Sequence, residues 1–447
     1  MILLVAAIGR FVIERPARRF VIKRARPGRA VTNSRERPMR SAILSLAAVM
    51  VAGAAHAAPL TFDDAVRLAA QTAPSIEARA TDVEAARSAA IAAGRLPDPK
   101  LEFGVEGFPV SGPNAFRPSR DDFSDVRVGV MQDLPSGASR AAARERAAAD
   151  IDAARIAQTG EARNVRLGAA LAWIDLYYAE KKLAALDEIE RALAPLRNAA
   201  PSEVESGALR PASALQPDQL FAELSDRRAD LVSAVAKARA ELVRWTGDPQ
   251  AEVAGAPPDA EVDPTALRAG LDRLPMLTAY DAMERQADAD VDAARAGKQP
   301  DWSVELAYQH RDPAFGDMVM ALATVRLPLF ASTRQDPIIA ARAETASRVR
   351  IDREAERRAL EAQLDADLAD HAMHHDRLRR AVDTLVPLAK RLADLETASY
   401  AAKTASLADV LQALLALAEA KVDALDREAD VVRDGVRINL TYGTAAQ

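Results

Sequence analysis

The chain repeats itself, and a fold is acceptable only if it can be built twice. Leu215-Gln216 stands 31 residues before the glycine of Trp245-Thr246-Gly247, and Leu411-Gln412 stands 31 before that of Thr441-Tyr442-Gly443. The offset is 196 residues at both ends, with no gap between. Upstream, Ala73-Pro74 opens a helix-forming run that ends at Leu96-Pro97-Asp98, and Leu274-Pro275 opens one that ends at Gln299-Pro300-Asp301. Leu134-Pro135 and Leu327-Pro328 then close two zones of alternating sequence. Self-similarity at a fixed spacing has to be read before any single motif. It divides the chain into a first structural repeat over 58–254, a linker over 255–264 rich in Pro and acidic residues, a second repeat over 265–443, and a tail over 444–447.

Each repeat reads as short helices, two strands and a long helical hairpin. Leu101, Phe103 and Val105 alternate with Lys100, Glu102 and Gly104, and Val126, Val128 and Val130 with Arg127 and Gly129. In the second repeat Trp302, Val304, Leu306 and Tyr308 alternate with Ser303, Glu305, Ala307 and Gln309, and a fourth run follows. Period-two alternation predicts strands at 100–110, 123–134, 301–311 and 318–329. That is about the 9 to 11 residues a tilted strand needs to cross an outer membrane. An ordinary half-buried hairpin has the same pattern, but four strands in so helical a chain have little core to cover.

The rest is helix-forming. Ser139–Ala194 and Thr333–Val386 run almost uninterrupted, and at 1.5 Å per residue each reaches roughly 80 Å. Leu411, Leu415, Ala418, Val422, Leu425, Ala429, Val432 and Val436 recur at alternating spacings of four and three, a heptad seam whose alanines permit close helix approach. Only 19 glycines and 4% aromatic residues in 447, with 28% charged, point the same way. There is no cysteine, which removes disulfides, thiolate metal sites and a lipidated N-terminal cysteine.

A basic start at Met39-Arg40-Ser41, an apolar run over 42–54 and Ala55-His56-Ala57 form a secretory signal peptide, with the mature chain beginning near Ala58. Residues 1–38 are a long basic leader or the product of a start codon placed too early. Removing 1–57 takes away 11 basic and 2 acidic residues, leaving 48 against 63 and a formal charge of −15 in place of −6. An acidic exported chain disfavours nucleic acid as a partner and is compatible with a cation path.

The mature start, Leu60-Thr61-Phe62-Asp63-Asp64-Ala65-Val66 through Ala73-Pro74-Ser75-Ile76, resembles the opening of TolC-like outer-membrane efflux proteins. Tyr400-Ala401-Ala402-Lys403 followed by Ser406-Leu407-Ala408-Asp409-Val410-Leu411-Gln412-Ala413 resembles that family's pattern of Tyr, two variable residues, Gly, then Asp-Val-Leu, with Lys403 replacing the glycine. The first repeat has Gly207 at that place but Ser213 where the aspartate would stand. The likeness runs over residues 60–443. It implies a mainly helical chain with a transmembrane β part: a homotrimer in which four strands per chain make one twelve-stranded outer-membrane barrel, continuing into a periplasmic coiled-coil barrel. It also implies a periplasmic adaptor, a proton-driven inner-membrane pump and outer-membrane lipid as partners. The Leu-Pro strand ends and Pro387 look most like the cobalt-zinc-cadmium branch of heavy-metal efflux, while multidrug and type I secretion channels share the architecture.

No nucleophile-base pair, phosphate loop or zinc-protease motif occurs, so neither an enzyme nor a cofactor is expected. His371, His374 and His375, with Asp367 and Asp370 nearby, stand at i, i+3 and i+4 of a helix and on one side of it. Such imidazoles are candidate ligands for a divalent ion, although a polar helix face is the simpler account of them, since nothing in the run shields the site. By resemblance, Asp409 lies at the tunnel entrance, where three copies make an acidic ring with Gln412 one turn on, and Tyr400 takes part in the gate. The competing account of Asp409 is a solvated helix aspartate. Two other classes remain open: an adhesive coiled-coil surface protein, and a periplasmic adaptor, whose lipoyl-like β domain is not evident here.

Overall fold

The computed structural model describes residues 59–206 and 210–443. The leader and signal-peptide reading, Gly207 and the tail at 444–447 lie outside these described residues.

Helix α1 (Phe62–Thr72) starts where Thr61 Oγ1 accepts from the Asp64 amide at 3.2 Å and donates to the Asp64 carboxylate at 2.7 Å, so one side chain satisfies an orphan amide of the first turn. Helix α2 (Pro74–Ala92) begins on Pro74, whose missing N–H costs nothing in the first turn. Strands β1 (Lys100–Glu106) and β2 (Asp125–Leu134) follow, then α3 (Gly137–Glu205) and α4 (Gln216–Thr246). After a short helix α5 (Pro264–Gly270) the order continues with α6 (Pro275–Ala296), β3 (Asp301–His310), β4 (Met318–Arg326), α7 (Gln335–Arg380), α8 (Val386–Ala401) and α9 (Leu407–Tyr442).

The strands form one antiparallel sheet in the order β1-β2-β3-β4. Leu101 pairs with Val130, Val130 with Leu306 and Leu306 with Ala321, so one face carries the alternating apolar residues of β1, β2 and β3 with Val319, Ala321, Ala323 and Val325 of β4, whereas Met318, Met320 and Leu322 of β4 fall on the other. Strand β1 ends at Glu106 rather than near residue 110. Gly107 follows at φ 64°, and a Cβ there would lie 2.1 Å from the Phe123 carbonyl oxygen, so the chain turns away where only glycine fits. Strand β4 ends at Arg326, ahead of Leu327-Pro328.

Helix α3 has 69 residues, about 100 Å at 1.5 Å per residue. It runs through Pro195 and Pro201, past the point where the helix-forming sequence ends. Proline inside a helix costs about 3 kcal/mol, and what opposes that cost here is packing: Leu186, Ile189 and Leu193 are buried against Leu220, Leu224, Leu407 and Leu411. The corresponding run in the second half is not one uniform helix. Between α7 and α8 the chain makes a π-helical turn at Ala381–Leu385, immediately before Pro387. A wider turn beside a residue that cannot donate is a recurrent way to keep a helix going past proline.

Four helices share the main core. Trp173, Ile174 and Tyr178 of α3 pack with Ala65 of α1, Leu242 of α4 and Val431, Val432 and Val436 of α9. The Trp173 indole donates to the Leu60 carbonyl at 2.8 Å. Leu60 also pairs in parallel with Val253, which ties the first residues described to the start of the linker. Along α9, Leu411, Ala418, Ala429, Val432 and Val436 of the heptad seam are buried.

Candidate functional site

The sheet is the first feature with no ordinary globular explanation. Its apolar face is open: Phe103 is 81% exposed, Leu101 66% and Leu306 59%, and Val126, Val128, Val130, Trp302 and Val304 are exposed beside them. The opposite face carries Glu102 and the ion-paired Lys100, Arg127, Asp133, Glu305 and Arg326, with Met131, Met320 and Leu322 among them. Lys100 meets Asp133 at 2.7 Å, Arg127 meets Glu106 at 2.7 Å and also Glu305, and Arg326 meets Asp301 at 3.5 Å. A sheet with apolar residues outward and ion pairs inward inverts the soluble pattern, and it is the arrangement of a strand wall in lipid. Among the described residues β1 and β4 each have one partner strand, so both edges present unpaired backbone groups. No described helix is long and apolar enough to cross a membrane.

The second feature is the far end of the helical hairpins. Tyr400, in the last turn of α8, donates to Glu203 Oε2 near the end of α3 at 2.5 Å. Burial and the Glu203 carboxylate push the phenol up to about 12. The loop that follows holds Lys403 at φ 61°. That left-handed conformation costs a residue with a Cβ about 1 kcal/mol, which explains the glycine at this place in the resembled pattern. Ser406 then caps α9. Its hydroxyl accepts from the Asp409 amide at 3.3 Å, while Asp409 Oδ2 accepts from the Ser406 amide at 2.9 Å and from its hydroxyl at 2.7 Å. These bonds hold the Asp409 carboxyl below its ordinary range. Asp409 is thus an exposed carboxylate with a definite structural task, and Gln412, one turn on, is exposed as well. Ser213 lies in a short 3-10 turn, Pro211–Leu215, at the start of α4.

The three histidines do not converge. His374 Nδ1 lies 2.5 Å from Asp434 Oδ2 of α9. His371 is 7% exposed, its Nδ1 is without a hydrogen-bond partner, and its ring packs edge-on against His375 at 4.7 Å between centroids. Among the described residues no three His, Asp or Glu side chains are grouped to hold a metal ion. Helical spacing sets the three imidazoles on one side, but α9 claims His374 and burial claims His371. Asp367 is committed too, accepting from Tyr442 at 2.8 Å and pairing with Arg437 at 2.9 Å.

The sequence reading missed Glu203, Ser406 and Asp434. Two of these had a signal. Ser406-Leu-Ala-Asp409 is a capping-box pattern, and the 196-residue offset carries Tyr400 onto Val204, next to Glu203. Asp434 has no sequence signature that pairs it with His374.

No family profile and no curated protein matches the chain. Solved structures do. A membrane protein from Pseudomonas aeruginosa superposes with a TM-score of 0.74 at 16% identity, over 86% of this chain and 90% of that one. The fold is one shared with solved outer-membrane channels. The outer membrane protein VceC from Vibrio cholerae gives 0.68 at 16% identity, over 86% of this chain and 96% of that one. The open-state MtrE outer membrane channel of Neisseria gonorrhoeae gives 0.68 at 15%, over 86% and 88%.

Proposed function

We propose that this chain is the outer-membrane channel subunit of a tripartite efflux pump. Three copies pool their sheets into one twelve-stranded barrel, and their helices continue it as a tunnel through the periplasm. The observation that carries this is the open four-stranded sheet with its apolar face outward. In lipid, each unpaired backbone group at an edge costs several kcal/mol, and four strands cannot close on themselves. Sharing strands between copies removes both edges at once. The length of α3 supports the tunnel, and the recurrence of helix, helix, strand, strand, long helix, helix in both halves supports the duplication. Export by the signal peptide at residues 39–57 delivers the chain to that membrane.

Conduction is passive, and the driving energy belongs to a proton-driven inner-membrane pump joined through a periplasmic adaptor. At the tip, three copies of Asp409, with Gln412, surround the entrance, and Tyr400 helps hold it closed. The cargo we assign is heavy-metal cations, on the sequence resemblance at the Leu-Pro strand ends and Pro387. Multidrug or type I secretion export is the second reading, favoured by the same fold.

Cell fractionation tests the channel. A heat-modifiable oligomer in the outer membrane supports it, and a soluble periplasmic species overturns it. Deletion of the gene tests the cargo: sensitivity to cobalt, zinc or cadmium supports the assignment, whereas sensitivity confined to organic drugs moves the channel to the second reading.

A further inference from the structure

We propose that the loop between β1 and β2, residues 107–124, is a lipid-contacting collar that carries the outer surface of the barrel into the headgroup level of the outer leaflet; this rests on the channel reading above. The outward face of the strands is not tall enough alone. Val105 pairs with Val126, and Val126 with His310 of β3, so these three stand at one level near the loops, while Trp302 stands at the helix end of the same face. Between the two levels the face rises about 20 Å, at 3.4 Å per residue and the tilt of a barrel strand. The apolar band of an outer-membrane barrel is roughly 25 Å tall. Beyond Val105 and Val126 the exposed apolar side chains belong to the loop: Val110 is 70% exposed, Phe116 71% and Phe123 78%.

The loop leans over that face. Phe108 and Pro118 share a cavity of about 440 Å³ with Val105 and Val126, the last apolar pair of β1 and β2. Phe116 stands edge-on to Phe108 with 6.4 Å between ring centroids, which brings an exposed ring to the same level. The Phe116 backbone sits at φ 61°, with its amide donating to the Pro109 carbonyl at 2.8 Å. That left-handed conformation costs a residue with a Cβ about 1 kcal/mol, and the ring it presents is left uncovered by the chain. Arg311 fixes the loop from the other hairpin, donating to the Asp122 carbonyl at 3.2 Å and to the Phe315 carbonyl at 2.7 Å. Arg117, Arg120 and Asp122 are exposed on the same loop, so it does not enter the hydrocarbon whole. Aromatic rings interspersed with charges suit the boundary between acyl chains and headgroups, where barrels carry their aromatic girdles. Tyr308, outward on β3 with its hydroxyl bonded to Asp317, marks the same boundary. In a closed barrel this face is turned away from the other copies, so lipid, and not a second chain, is what meets it.

The test is tryptophan fluorescence of the full-length protein in phosphatidylcholine vesicles, with acyl chains brominated close to the headgroup as the lipid quencher and iodide as the aqueous one. Trp302 is exposed on the outward face, and the difference between wild type and Trp302→Phe isolates its emission, which reports whether the sheet itself lies in lipid. In the Trp302→Phe background, Phe116→Trp and Phe123→Trp should each add emission that the brominated chains reduce by about half and that iodide hardly reaches. Bromine quenching of Trp302 together with iodide quenching at positions 116 and 123 overturns the collar and leaves the channel standing. Added emission shielded from both quenchers means that protein covers the rings, which overturns the collar as well. Trp302 emission that the brominated chains leave unchanged overturns the channel reading, and the collar with it.

Discussion

Tyr400 donates its hydroxyl to Glu203 across 197 residues of sequence, joining the end of α8 to the end of α3. The phenol titrates at about 12 instead of its usual 10.0, through burial first and the carboxylate second. Since the folded state holds the proton more tightly, the bond's stabilisation is complete below pH 10 and is lost as pH rises through about 12. Tyr400→Phe should cost about 1 kcal/mol at neutral pH, read as a lower midpoint in thermal unfolding, and should raise the resting conductance of the closed channel. Glu203→Gln, which still accepts, should show a smaller effect on both. An unchanged resting conductance in Tyr400→Phe would remove the bond from the closing of the tip.

The capping box at α9 predicts a separation of roles. Ser406→Ala removes the hydroxyl that both accepts from and donates to Asp409, and should destabilise the chain by about 1 kcal/mol with ion selectivity retained. Asp409→Asn removes the charge and should reduce block by trivalent cations entering from the periplasmic side, while the oligomer persists. Denaturant midpoints and bilayer recordings on the two variants distinguish cap from charge.

The histidine cluster should matter for stability in acid and not for export. His371 has its imidazole pushed below 6.5 by burial, with the His375 ring adding to the shift. Asp434, His374 and the Ala260 carbonyl are the other polar groups facing it. A depressed value means that the unfolded chain binds the proton first, so the stability is present above pH 6.5 and is lost as pH falls below it. His371→Gln should flatten the decline in melting temperature between pH 7 and 5. Replacing His371, His374 and His375 together with Gln should leave metal resistance near wild type at equal protein level.

Much of the fold was legible because its signals are periodic. The alternation at Leu101, Phe103 and Val105 marks a one-faced sheet, and the spacing from Leu411 to Val436 marks a helix seam, since both periods follow from local backbone geometry. What could not be read is what distant elements decide. Pro195 and Pro201 look like stops, yet packing against Leu407 and Leu411 carries α3 through them. Gly107 ends β1 because the Phe123 carbonyl lies where a side chain would stand. The histidines look like a ligand set until α9 brings Asp434 to one of them.

The duplication also predicts a packing limit. Trp245, in the first copy of the repeated Gly247/Gly443 motif, lies over Gly168 of α3, where an added Cβ would fall 2.3 Å from the indole ring. A covalently rigid ring has nowhere to flex, so Gly168→Ala should destabilise by about 1 to 3 kcal/mol. Gly160, on the same helix, has only Pro275 near it at 3.8 Å, and Gly160→Ala should be neutral or stabilising. Thermal unfolding of the pair in detergent checks both.

The central claim is that the sheet is one third of a barrel, and the subunit count of the complex tests it most directly. Native mass spectrometry of protein extracted from outer membranes in detergent should show three chains with no folded monomer, because a single four-stranded sheet leaves the edges of β1 and β4 bare. A stable, folded single chain, or recovery of the protein in the soluble periplasmic fraction, would contradict the account.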